Sequence, residues 1–212
     1  MSNNFLLNFE NLGYAWINLI QLIKENGSLI NNEIFEIENI QINIKNISKD
    51  DLSLQGKQER KNIKEMHKVF FENGFNQFGH SYKNFIHGPK GRSDYMDIVE
   101  VLKNNLATKK AAVVLVGSDE KVPCLLTIHF LVRDNILYTK YFSRGQDIYN
   151  KYYADSLAVN EISQRICSIL KIDCGLQTGF ISSAHIYKKD MNKINNLLKA
   201  QASLILAHKS TT

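Results

Sequence analysis

The sequence has little of what holds a secreted or membrane-bound chain together. Of its 212 residues only three are cysteines, an odd number, and no signal peptide precedes them. These absences predict a reducing, cytoplasmic setting without a disulfide framework, and make Cys167 and Cys174 core or near-core thiols. No apolar run approaches the ~20 residues of a membrane span, so a membrane protein is not expected. Strong charge is missing as well: the formal net charge of +5 suits anionic ligands without demanding nucleic acid as a partner. The only low-complexity tendency is a bias towards Asn, Lys and Ile. What remains is ordinary for a globular chain, with 44% hydrophobic and 22% charged residues, and the length fits one domain, 1–212, with a sizeable core.

Periodicity divides that length into helices and strands. Residues 9–25 read as an amphipathic helix with Tyr14, Ile17, Ile20 and Ile23 on one face and Asn26-Gly27 as its stop. Residues 33–47 alternate as a strand whose phase slips. Phe35 and Ile37 are apolar at odd positions, Ile40, Ile42 and Ile44 at even ones. A β-bulge produces such a slip, and so would a short loop at Glu38-Asn39. Residues 48–64 are polar and read as a loop, followed by a short helix over 63–71. A helix over 95–106 turns Ile98, Val101, Leu102 and Leu106 inward, and 111–116 is a buried strand. Leu126, Ile128, Phe130 and Val132 alternate as a half-buried strand. The polar turn Arg133-Asp134-Asn135 then leads to a second strand over 136–142. A central helix over 154–170 carries Leu157, Ile162, Ile166 and Ile169, and a strand over 176–187 and a helix over 191–206 close the chain.

Chemistry concentrates between residues 121 and 155. Cys124 follows a proline at the start of the strand pair, and Arg144 closes it. A guanidinium beside a thiol can hold an anionic substrate and lower the thiol pKa, which makes thiolate available as a nucleophile. This stretch resembles the thymidylate synthase family, including its branch of pyrimidine-nucleotide hydroxymethylases. Pro123-Cys124 is similar to the family's nucleophile dipeptide. Arg144-Gly145-Gln146-Asp147, twenty residues on, is similar to its Arg-Ser-x-Asp phosphate motif. Asp155 stands where the family reads the pyrimidine ring, and Ser183-Ala184-His185-Ile186-Tyr187 is similar to its Asp-x-His-x-Tyr motif. Phe78-Gly79 stands at the family's Tyr-Gly, with a hydroxyl lost; His80 and His87 nearby could serve as bases but read more plainly as loop histidines. The resemblance covers about residues 78–190.

The resemblance implies a thymidylate synthase-type α+β fold: a mixed, kinked β-sheet with flanking helices, one sheet face forming a homodimer. It implies that Cys124 adds to carbon 6 of a pyrimidine nucleoside monophosphate, so that carbon 5 can take a one-carbon unit from 5,10-methylenetetrahydrofolate. Arg144 would bind the phosphate together with Gly145 of its motif, and Lys109 and Lys110 would reach the partner subunit's phosphate where the family has two arginines. His185 and Tyr187 would hold the sugar, and Asp147 would support the loop. Glu65 is the candidate for the family's catalytic glutamate, although the tryptophan that usually follows is missing and the folate region is shortened. The bland alternatives are a solvated helix-face carboxylate for Glu65, a basic turn for Lys109-Lys110 and a helix-start residue for Asp155.

Asp155 in place of the asparagine of thymidylate makers implies cytosine, and Gly145 with the lysines leans towards CMP over dCMP. The implied activity is a CMP 5-hydroxymethylase of a nucleoside antimetabolite pathway. The alternatives are action on dCMP or dUMP, and a nucleotide-binding relative with reduced or lost catalysis.

Overall fold

The computed structural model describes residues 5–72, 74–75, 81–83, 95–115 and 122–209; Phe78, Gly79, His80 and His87 lie outside these residues. Strand β1 (Phe5–Asn11) leads into helix α1 (Leu12–Asn26), followed by a hairpin of β2 (Ser28–Ile30) and β3 (Ile34–Asn46). Helices α2 (Lys57–Phe71) and α3 (Tyr95–Asn104) precede β4 (Ala112–Val114) and the hairpin β5 (Leu125–Arg133)–β6 (Ile136–Ser143). Then come β7 (Gln146–Asp147), α4 (Tyr152–Leu170), β8 (Asp173–Tyr187) and α5 (Met191–Lys209). The strands form one eight-stranded sheet in the order β1-β3-β8-β6-β5-β4, with β2 against β3 and β7 against β8. It is mixed: β8 runs antiparallel to β3 but parallel to β6 and β7. The mixed α+β architecture is the expected one.

Helix α1 begins where Asn11 accepts a hydrogen bond from the Tyr14 N–H at 2.8 Å, an N-cap that satisfies one otherwise unpaired donor. Its buried face is Leu12, Trp16, Leu19, Ile20 and Ile23. Tyr14, expected on that face, is 57% exposed, because residues 9–11 belong to β1 and Trp16 sets the helix's rotation. Trp16 is fully buried against Tyr153, ring centroids 4.8 Å apart, and its indole N–H donates to the Ile148 carbonyl at 3.0 Å. The two-residue turn of the β5–β6 hairpin has Asp134 and Asn135 at φ of 51° and 63°, the left-handed pair that matches strand twist and that Asp and Asn tolerate.

The phase slip in β3 has a geometric cause. Asn39 is left-handed, with φ 59°, and the strand continues through it. The pairing with β8 keeps one register on both sides, Glu38 opposite Ser183 and Ile40 opposite Ile181. The buried side of β8 slips at the same level, from Gln177, Gly179 and Ile181 to Ala184 and Ile186. Both strands therefore kink together, and neither gains a residue on the other. Below the kink the outer face stays open. A row of paired residues, Leu6, Gln41, Phe180, Phe142, Thr127 and Val114, crosses it, with Leu6 and Val114 61% exposed.

Several expectations need correction. Helix α2 starts at Lys57, inside the supposed loop, because a surface helix needs only a narrow apolar stripe, here Met66, Val69 and Phe70. Strand β4 is an edge strand with Val114 exposed; only its flanks Ala111 and Leu115 are buried. Leu106 and Ile169 face outward, Leu106 because α3 ends at Asn104. Cys167 and Cys174 are disulfide-bonded and not free. Left-handed Lys171 (φ 56°) turns the chain back from α4 into β8 and brings their Cα atoms to 6.1 Å, within the range a disulfide spans. Trp16→Phe should cost about 1–3 kcal/mol in urea denaturation, because the carbonyl of Ile148 loses its buried donor.

Candidate active site

Arg144 brings the thiol and the sheet end together. Its backbone N–H donates to the Cys124 carbonyl at 2.9 Å. Its guanidinium donates to the carbonyls of Pro123 at 3.0 Å and Val122 at 2.8 Å. Two donors are spent on the Pro-Cys segment; a guanidinium has five, so the remainder can meet a phosphate. Gly145 beside it has open space: an added Cβ would meet nothing within 4 Å.

The arginine does lower the Cys124 pKa, as expected, but its effect is outweighed. Burial pushes the thiol up, with Arg144 opposing and Asp155 and Asp147 adding to the rise. Desolvation of the charged form outweighs one exposed cation. Tyr82, passed over in the sequence, backs this segment. It is buried against Phe70, beside the backbone of Leu125 and Cys124, and burial pushes its hydroxyl pKa up. Nothing but its place in the Phe78–Tyr82 stretch could have drawn attention to it.

Asp155 lies in the first turn of α4, as the helix-start reading expects, without being its cap. Lys151 holds the N-cap position of α4, and the Asp155 N–H already donates to the Lys151 carbonyl. Its Oδ2 accepts from the side-chain amide of buried Gln146 at 2.7 Å, whereas Oδ1 is shut off from solvent and has no partner among the described residues. Burial pushes this carboxyl up to about 6, the Gln146 bond opposing. A buried carboxyl that keeps a minor protonated fraction at neutral pH, with one oxygen unpaired among the described residues, is an unusual resource in a protein interior. Gln146 was not singled out in the sequence either; the β7–α4 turn is what aims it.

Asp147 caps the 147–150 turn, accepting from both the N–H and the side-chain amide of Asn150 at 3.0 Å. Strand β7 sets it directly beside His185 of β8. Burial pushes Asp147 up and His185 down, each opposed by the other's charge. The His185 ring stands edge-on to Tyr187, centroids 5.4 Å apart, and its Nδ1 is buried without a partner among the described residues. Asp147 and Tyr187 also border a cavity of about 700 Å³ whose further walls include Glu65, Met66, Val69, Phe75, Lys151 and Ala154. Glu65 thus faces the site from α2, yet its side chain is 61% exposed and 3.8 Å from Lys61.

Lys109 and Lys110 are not brought to Arg144 within the chain. They precede β4, whose Ala112 pairs with His129 towards the far end of β5 from Cys124. Seven residues of strand between Cys124 and Leu131, at about 3.3 Å each, amount to roughly 20 Å.

No family model matches the chain. Curated relatives do match along its length. It is 24% identical over 206 residues to a protein of Methanococcoides burtonii described as "Putative thymidylate synthase", covering 92% of this chain and 94% of that one. A protein of Methanosarcina mazei with the same description is 22% identical over 214 residues, covering 94% and 99%. Thymidylate synthase A of Bacillus subtilis has a similar fold, with a TM-score of 0.64 and 13% identity over 89% of this chain and 84% of that one. The chain is thus similar, nearly end to end, to proteins described as putative thymidylate synthases, and it shares the fold of a solved thymidylate synthase.

Proposed function

We propose that this protein transfers a one-carbon unit to carbon 5 of a cytosine nucleotide, CMP in the first place, as a folate-dependent 5-hydroxymethylase. The observation that carries the reading is the unpartnered, buried Oδ1 of Asp155. Uracil would meet a carboxylate with its own O4, acceptor against acceptor. Cytosine offers an amino group that donates, and a ring nitrogen that accepts if the carboxyl keeps its proton. A carboxyl pushed up to about 6 can supply both. The open space at Gly145 supports a ribonucleotide in this pocket.

In this reading Arg144 fixes the phosphate, His185 and Tyr187 orient the sugar, and Asp155 reads the base. The Cys124 sulfur, once deprotonated, adds to carbon 6 and makes carbon 5 nucleophilic. The 700 Å³ cavity suits methylenetetrahydrofolate: Met66, Val69, Phe75 and Ala154 offer apolar wall for its rings, and Lys68, Lys189 and Lys193 offer charge for its carboxylates. That group supplies the carbon when bound. Glu65, on the cavity wall, is the candidate acid or base. The exposure of Glu65 and the raised thiol pKa favour a second reading, a nucleotide-binding relative with reduced catalysis.

The protein is a homodimer in this proposal, and residues 1–212 form one domain. Two observations support the dimer. The open sheet face carries an apolar row, and the two lysines are about 20 Å from their own subunit's Arg144.

Measurements on variants and on the wild type test the proposal. Cys124→Ser should abolish release of tritium from 5-labelled CMP and leave CMP affinity within about threefold, since the thiol acts after binding. In the wild type, alkylation of Cys124 should rise with pH to a midpoint above that of free cysteine, because a raised thiol pKa leaves less thiolate at neutral pH.

Asp155→Asn should weaken CMP and improve UMP, shifting their ratio in calorimetric titration by about one to two orders of magnitude. The same variant should gain stability over the wild type between about pH 4 and pH 7, by up to roughly 3 kcal/mol. The sign follows from a folded-state pKa above the unfolded one: the wild type loses stability as pH rises and the buried group ionises. An unchanged nucleotide ratio would remove cytosine from the proposal.

For the dimer, Cys124→Ser chains mixed with Lys109→Ala/Lys110→Ala chains should recover activity that neither has alone. The ceiling is about a quarter of wild type, since random pairing makes about half the dimers mixed, each with one complete site. No recovery, or a monomer in light scattering, would sink the shared site.

A further inference from the structure

The sugar end of the site contains a carboxylate that neither the motifs nor the phosphate and base contacts account for. Glu36 lies on β3 directly opposite His185 of β8, while Asp147 of β7 lies on the other side of the same residue. The three side chains make one row across neighbouring strands, spaced about 5 Å apart. Ile37 and its opposite number Ala184 point into the core, so Glu36, Ser183 and His185 share the other face. Ser183 donates its hydroxyl to Glu36 Oε1, which fixes the carboxylate beside the imidazole. Oε2 has no partner among the described residues, and Glu36 is partly exposed. The histidine between the acids leaves Nδ1 buried, without a partner among the described residues.

Resting on the reading that His185 and Tyr187 hold the sugar, we propose that Glu36 is the residue that selects ribose, its carboxylate accepting a hydrogen bond from the nucleotide's 2′-hydroxyl. A cis-diol presents two neighbouring donors, and a carboxylate with one oxygen anchored and the other available is a matched acceptor beside the histidine. A deoxyribose supplies only one donor and leaves Oε2 desolvated under the ligand without a partner. That asymmetry makes such sites discriminate more sharply than an apolar pocket could. Asp147 is less suited to this role, because each of its oxygens already accepts from Asn150. Ser183 stands where the family's motif has an aspartate, so the acidic group has in effect moved across to the neighbouring strand.

The test is calorimetric titration of CMP and dCMP into the full-length wild type, Glu36→Gln and Ser183→Ala, with thermal melts of each protein. The wild type should bind CMP about tenfold or more tightly than dCMP. Glu36→Gln should lose most of that preference, with dCMP affinity changed less than about threefold, because only the charge-assisted bond to the 2′-hydroxyl is weakened. Ser183→Ala should shift the ratio in the same direction by less, since it frees the carboxylate without removing it. Equal wild-type affinities overturn the inference whatever the variants do, including when Glu36→Gln does not fold. Equal losses of both nucleotides, with the ratio kept, make Glu36 a support for His185; the inference then falls and the nucleotide reading stands. A wild type that binds neither nucleotide overturns both.

Discussion

Strand β8 accepts neighbours of both directions, antiparallel β3 on one side and parallel β6 and β7 on the other. The rest of the structure depends on that arrangement. Because β6 runs alongside β8, its last residue Ser143 pairs with Ile181, and Arg144 follows just ahead of the stretch of β8 that carries Ser183, His185 and Tyr187. Because β7 resumes the pairing after Gly145, Gln146 and Asp147 land opposite Ala184 and His185. Arg144, Asp155 and His185 thus converge on one strand end, although most of helix α4 separates the first two from the third in sequence.

The 147–151 segment would be a free loop without its clamps. Trp16 of α1 holds the carbonyls of Ile148 and Tyr149. Asn62 of α2 holds that of Asn150 and also reaches the Tyr153 hydroxyl. Asp190 accepts from the Asn150 side chain. The turn that positions Asp147, and through Gln146 and α4 also Asp155, is therefore fixed by core packing on one side and the cavity wall on the other. Such support makes a stable orientation for a partly protonated carboxyl affordable in the interior, where an unheld charge would be expelled.

Much of this was legible in the chain. The alternation over 126–132 and 136–142 gave both strands and the tight turn between them, since each has one buried face. Cys124, Arg144, Asp147, Asp155, His185 and Tyr187 could be singled out because their order and surroundings resemble the motifs of the thymidylate synthase family. What stayed hidden was set by tertiary context. Tyr14 could not be told from Trp16 as the inward residue until β1 claimed residues 9–11. The disulfide needed the left-handed turn at Lys171, which no residue type announces. Gln146, Tyr82 and Glu36 carry no motif; their importance comes from the neighbour each one meets. The thiol's direction of shift is a balance between burial and Arg144, and burial is not written in a sequence.

The shared kink at Asn39 and Ser182 also limits how the gene can change. Loss or gain of one codon in β3 above or below that point would turn half a strand inside out, presenting isoleucines to the open face and polar groups to the core. A matching change in β8 could restore the faces, but would shift His185 and Tyr187 relative to Gln146 and Asp147. Length variation in this lineage should therefore avoid both strands and collect in the Asn31–Glu33 turn and before α2. There the chain can lengthen without disturbing the correspondence between strands.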